Sequence, residues 1–222
     1  MAKVNIPKSI RKIIGSREYS IDTIGMSGSQ VICFDDMVLK SEEQCEESDN
    51  EHKMISWLED KLPVPKILCK HKENGINYLL MSKIIGAMSC STEILENPEM
   101  LVKLLAEGLK MLWSVDIADC PYSSSVENKP DEEFVFSHGD YCLPNIFIKG
   151  NSISGFIDLG RSGVADKYQD IALCYRSLQH NYNGKYGGKV YKNFNAELLF
   201  DELGILSDWD KIKYYTLLDE LF

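Results

Sequence analysis

The chain has 222 residues, 44% of them apolar, with 24 Lys and Arg against 34 Asp and Glu, a formal net charge of −10. That length buries a sizeable core, in one domain or two small lobes. The acidic balance and the lack of a basic stripe exclude nucleic acid as a partner, and no window approaches the roughly 18 apolar residues of a membrane span.

Seven cysteines, at positions 33, 45, 69, 90, 120, 142 and 174, are odd in number and lack the short spacing of a zinc or redox motif. They predict reduced thiols in a cytoplasmic protein. The first twenty residues hold scattered charges and no apolar run, so no secretory signal is expected.

The first elements alternate strand and turn. Ile6 to Ile14 reads as a short amphipathic helix, and Tyr19 to Ile24 and Val31 to Phe34 as strands. Gly25-Met26-Ser27-Gly28-Ser29 between those strands is a flexible, hydroxyl-bearing turn. A third strand, Met37-Val38-Leu39-Lys40, is expected to end on Lys40. Glu51 to Leu62 has helical periodicity, and Pro63 and Pro65 end it. Asn77 to Met81 is a strand leading into a lobe connection through Ser82 to Gly86.

The second part of the chain is mainly helical. Asn97-Pro98-Glu99 starts a helix that runs to about Val115: a cap, a first-turn proline, then an acid. Tyr122 to Glu133 is polar and unpatterned. Short strands follow at Phe134 to Phe136, Ile146 to Ile148 and Ile153 to Ile157. Three helices are predicted over 166–180, 189–203 and 208–221. Strands followed by helices predict an α+β, two-lobed fold: an N-terminal lobe with an antiparallel sheet and a helix, and a mainly helical C-terminal lobe. The expected division is 1–82 for the N-terminal lobe, 83–86 for a hinge and 87–222 for the C-terminal lobe.

The chemistry concentrates in Ser137-His138-Gly139-Asp140-Tyr141-Cys142-Leu143-Pro144-Asn145 and Phe156-Ile157-Asp158-Leu159-Gly160. Lys149-Gly150-Asn151-Ser152 supplies a turn between two apolar strands. Facing residues in that hairpin should carry numbers summing to about 303, which sets Asn145 opposite Asp158. A hard cation such as Mg²⁺ takes oxygen ligands and keeps phosphates as its others, and Asn145 and Asp158 can supply an amide oxygen and a carboxylate. Asp140 stands five residues before Asn145. In phosphoryl-transfer enzymes of the kinase type that step separates the catalytic base from a metal-binding Asn. His138 is expected to hold the loop by hydrogen bonds rather than act as the base.

An ATP-dependent transferase also needs phosphate contacts. Glu51 shares the apolar stripe of Met54, Ile55 and Leu58, where a carboxylate is costly unless paired. Lys40 is the predicted partner, aimed at nucleotide phosphates. The competing reading is a first-turn Glu favoured by the helix dipole. Ser27 and the backbone of its turn could cover the phosphates. Met81 to Ile84 either offers backbone groups to adenine or is a plain connection.

These residues resemble the aminoglycoside 3′-phosphotransferases. The likeness runs through Gly25-Met26-Ser27, Trp57 to Lys66, Tyr78 to Met81, Asp119-Cys120-Pro121, Ser137 to Asn145, Gly155 to Tyr168 and Tyr214 to Phe222. The resemblance implies ATP and Mg²⁺ as cofactors and an aminoglycoside antibiotic as the small-molecule partner. It implies Asp140 as the base, Asn145 and Asp158 as metal ligands, and Ser27, Lys40, Glu51, Met81 and Ile84 as nucleotide contacts. It places Arg161, Asp219, Glu220 and the Phe222 carboxylate near the antibiotic. Relatives carry a helical insertion after the Cys-Pro segment, where this chain has only 122–136. The alternative is therefore a nucleotide-binding module with lost or altered substrate activity.

Overall fold

The computed structural model describes residues 6–22, 28–122 and 132–221. Its architecture is α+β. A five-stranded antiparallel sheet, in the order β1-β2-β3-β5-β4, is built from β1 (Ser20–Ile21), β2 (Gln30–Cys33), β3 (Met37–Glu43), β4 (Ile67–Glu73) and β5 (Ile76–Ser82). Helix α1 (Lys8–Ile14) covers one face and α2 (Glu46–Leu58) lies against the other.

Strand alternation explains this division. On β3, Met37 and Leu39 turn to the α1 side, as do Tyr78 and Leu80 of β5, and they close a small core with Ile10, Ile14 and Ile32. Leu39, Leu80, Ile10 and Ile32 are fully buried, each contributing about 1.5–3 kcal/mol. Leu79 and Met81 face the other way and join a larger core with Met54, Ile55 and Leu58 of α2. Lys40 shares the parity of Val38 and so faces α2.

The larger core continues into the helical part. It gathers β6 (Ala87–Met88), α3 (Thr92–Leu95), α4 (Pro98–Trp113), β7 (Phe134–Ser137), β8 (Ile146–Lys149), β9 (Ser152–Phe156), β10 (Gly163–Asp166), α5 (Tyr168–Tyr182), α6 (Leu198–Leu203) and α7 (Trp209–Asp219). Strands β6, β8 and β9 form one small sheet, and β7 and β10 another. The expected cap of α4 is present: the Asn97 side chain accepts a hydrogen bond from the Met100 N–H. All seven cysteines are free thiols, and among the described residues no helix is long and apolar enough to cross a membrane.

Several boundaries differ from expectation. Strand β3 continues three residues beyond Lys40, which therefore sits mid-strand. Helix α2 starts at Glu46, capped by Cys45, so Glu51 lies in its second turn and dipole attraction does not explain it. Strands β4, β6 and β10 were not anticipated. The hairpin register pairs Ile146 with Phe156 and Ile148 with Ile153, an irregularity separating the two. Asn145 therefore faces Ile157, whose N–H donates to the Asn145 carbonyl at 3.0 Å, and Asp158 is the next residue along.

Candidate active site

The site assembles where β3, α2 and the β8–β9 hairpin converge. Lys40 Nζ donates to Glu51 Oε2 and Asp158 Oδ1, each at 2.8 Å, and stands 3.4 Å from Glu42 Oε2. The Glu51 side chain is only 3% exposed, whereas that of Asp158 is 40% exposed. Burial works against the Lys40 charge, but Glu51 and Asp158 outweigh it and push its pKa up. Burial pushes Glu51 up against the pull of Lys40, and the Asp158 charge adds to the rise. Asp158 goes the other way: burial is outweighed by Lys40, and the carboxyl is held below its ordinary range. Asp158 is thus the firmly ionised member, on the open side of the cleft.

Backbone conformation aims that carboxylate. Asp158 has φ +60°, in the left-handed region that Asp tolerates better than most residues. Strand β9 ends two residues earlier, at Phe156, and the chain turns through Leu159, whose carbonyl accepts from the Ser162 N–H and hydroxyl. Asn50 of α2 donates its amide to the Gly160 and Ser162 carbonyls at 2.9 and 3.2 Å. Helix α2 therefore contacts both ends of the site: Asn50 holds the loop and Glu51 holds the lysine.

Asp140 and Asn145 form a second unit. The Asn145 amide nitrogen donates to the Asp140 carbonyl and to Asp140 Oδ2, at 3.0 and 2.9 Å. With the nitrogen committed to Asp140, the amide oxygen points away from it. That oxygen and the Asp158 carboxylate are hard donors suited to Mg²⁺. Together with the exposed, ionised state of Asp158, they fit the metal role expected of them.

The loop carrying Asp140 rests on a residue that the sequence reading missed. Asp170 of α5 is fully buried and accepts the His138 and Gly139 N–H groups at 2.7 and 3.0 Å. Burial raises its pKa, against the pull of His138 and these hydrogen bonds. The signal was present, since Asp170 lies in line with Cys174 on the buried face of α5. A carboxylate on such a face requires partners, as Glu51 does on α2. Gly139 is required twice over. Its φ is +80°, and an added Cβ would lie 2.1 Å from the Arg161 carbonyl oxygen. His138 is fully buried, its Nδ1 3.4 Å from the Asp140 N–H, so it supports the loop from behind.

The remaining predicted residues are dispersed. Arg161 Nη1 meets Asp219 Oδ1 at 2.7 Å, and Arg176 takes the other Asp219 oxygen. Glu220 is exposed at the end of α7. Met81 is buried in β5. Among the described residues no backbone hydrogen bond engages Ile84, whereas the Lys83 N–H is taken by the Asp36 carbonyl at 3.0 Å. Ser27 and Phe222 lie outside the described residues.

A family described as "Phosphotransferase enzyme family" matches residues 124–215. The chain is 38% identical to an aminoglycoside 3′-phosphotransferase of Enterococcus faecalis and 37% identical to one of Staphylococcus aureus, with all of each chain covered. It belongs to the aminoglycoside 3′-phosphotransferase family. The assignment makes it a kinase-type enzyme. Among solved structures it resembles the aminoglycoside phosphotransferase APH(3″)-Id of Streptomyces rimosus, with TM-score 0.77, 21% identity and 95% and 94% of the two chains covered. That protein in complex with ADP and streptomycin matches with TM-score 0.72 and 22% identity over the same shares. At these identities the likeness establishes the fold, and it is the α+β, kinase-like fold expected.

Proposed function

We propose that this chain transfers the γ-phosphoryl group of ATP to the 3′-hydroxyl of an aminoglycoside antibiotic, and so confers resistance. The supporting observation is Lys40, held at 2.8 Å by both Glu51 and Asp158 beside the Asp140–Asn145 unit. Lys40 would neutralise charge on the phosphates, with Glu51 fixing its direction. Asn145 and Asp158 would hold Mg²⁺, which supplies counter-charge to the phosphate oxygens. Asp140 orients the acceptor hydroxyl and takes its proton. In this reading Met81 to Ile84 receive adenine through backbone groups, and Ser27 is assigned to the phosphates by the family resemblance. Most of the rate comes from positioning and electrostatics.

In the same reading residues 1–82 form the nucleotide lobe, 83–86 the hinge and 87–222 the catalytic and substrate lobe. Glu220 and Arg161 are assigned to the antibiotic side, as is Phe222 by the family resemblance. Asp219, with both oxygens committed to arginines, acts by positioning Arg161.

One observation favours a second reading. The alignment with the Enterococcus relative runs over 273 residues, against 222 in this chain. The family resemblance locates the shortfall at 122–136, beside the antibiotic site. A chain trimmed there would bind nucleotide without useful transfer. The test is ATP consumption with kanamycin. Turnover supports transfer, Mg·ATP binding without turnover supports the binding module, and no nucleotide binding overturns both.

A further inference from the structure

Glu42 lies two residues beyond Lys40 on β3, so both side chains leave the same face of the strand. Its Oε2 is 3.4 Å from Lys40 Nζ, and the two side chains are only 21% and 11% exposed. Glu51 and Asp158 hold the same ammonium at 2.8 Å each. Three carboxylates therefore face one cation, and Glu47 adds its field at Glu42. Glu51 and Asp158 have tasks in phosphoryl transfer: one directs Lys40, the other suits a divalent cation. Glu42 has neither task, yet its charge sits beside the place where phosphates must arrive.

We propose that Glu42 is a specificity residue that makes the site reject metal-free nucleotide and accept the nucleotide complexed with a divalent cation. The inference rests on the phosphotransfer reading above. Repulsion between Glu42 and a ligand grows with the ligand's charge. A bare nucleoside diphosphate carries its full negative charge to Lys40 and meets the carboxylate excess. A diphosphate already neutralised in part by Mg²⁺ meets much less resistance. The contact is local and partly dry, so salt screens it less than it would an exposed pair.

The experiment is calorimetric titration of the full chain with ADP, once with Mg²⁺ and once with EDTA, for wild type, Glu42→Gln and Glu42→Asp. Glu42→Gln should tighten ADP binding in EDTA by about tenfold and in Mg²⁺ by about twofold or less, narrowing the ratio between conditions. Glu42→Asp keeps the charge and should keep a ratio close to wild type. An unchanged ratio in Glu42→Gln would overturn the assignment. So would a loss of affinity equal in both conditions, as expected if Glu42 merely props Lys40. Wild type binding no ADP in either condition would overturn the phosphotransfer reading itself, and the role of Glu42 with it.

Discussion

Lys40 and Asp140 mark the two poles of the site. Lys40 is fastened to both Glu51 and Asp158, so in the proposed reading little side-chain ordering of Lys40 remains for phosphate binding to impose. Asp140 is only partly buried and takes its orientation from Asn145. Asp140→Ala should lower turnover by at least about 100-fold, with the affinity for Mg·ATP nearly unchanged. Steady-state kinetics and nucleotide titration of the same preparation measure both, and retained turnover would remove Asp140 from the role of base. Asp219 permits a pH prediction. Burial disfavours its charge, but Arg176 and Arg161 override burial and lower its pKa. Its contribution to stability is therefore present above the ordinary carboxylate value, about 3.9, and is lost as pH falls through the lower folded value. Melting temperature followed from pH 5 downward should drop more steeply in wild type than in Asp219→Asn, and parallel curves would show that the arginine pair contributes no stability.

At the level of elements, α2 and α5 hold the loops of the candidate site in place. Each sends polar groups out of an apolar face: Asn50 and Glu51 from α2, Asp170 from α5. Asp170→Ala leaves the buried His138 and Gly139 N–H groups without their carboxylate. Hydrogen bonds to charged groups contribute about 1.5–3 kcal/mol each, so a loss of roughly 3 kcal/mol is expected, with turnover falling because the Asp140 loop is unseated. Urea denaturation gives the stability change, and a loss under about 1 kcal/mol would show that the loop stands without this anchor. The Lys40–Glu51 pair was legible because a carboxylate on an apolar helical stripe needs a cation. The start of α2 was not legible, because Glu46 to Asn50 is polar and its cap is a cysteine. Strand β10, Gly163–Asp166, was missed because its small residues carry little strand preference and only pairing with β7 extends them. Strand β4 was hidden by its lysines, which suit an exposed edge.

Across the whole molecule, two cores meet at the five-stranded sheet, and the site lies on the side of the larger one. The C-terminal helix is tied down by Asp166, which accepts from Lys211 and Tyr215, and by Asp219. Its outer face still leaves Trp209, Tyr214 and Leu217 exposed, as is Leu221 just beyond it, and Leu206 before it is 92% exposed. Exposed apolar surface of this kind favours association. The chain should therefore melt below its longer relatives and scatter more light as concentration rises. Calorimetry at two concentrations checks this, and a cooperative, concentration-independent melt at the relatives' temperature would contradict it.

The sequence by itself determined the local chemistry of this protein: the Asp140–Asn145 spacing, the turn before Asp158, the Lys40–Glu51 pairing and the α+β order of elements. These follow from short-range rules of periodicity, turn formation and the cost of an unpaired buried charge. Tertiary structure alone decided which groups share a partner. The turn pairing Lys149 with Ser152 set a register in which Asn145 faces Ile157, strand parity brought Glu42 beside Lys40, and docking of α7 committed Asp219 to two arginines. Such contacts depend on register and on the packing of elements distant in sequence. A one-residue shift reverses which face a side chain occupies, and no local pattern records it.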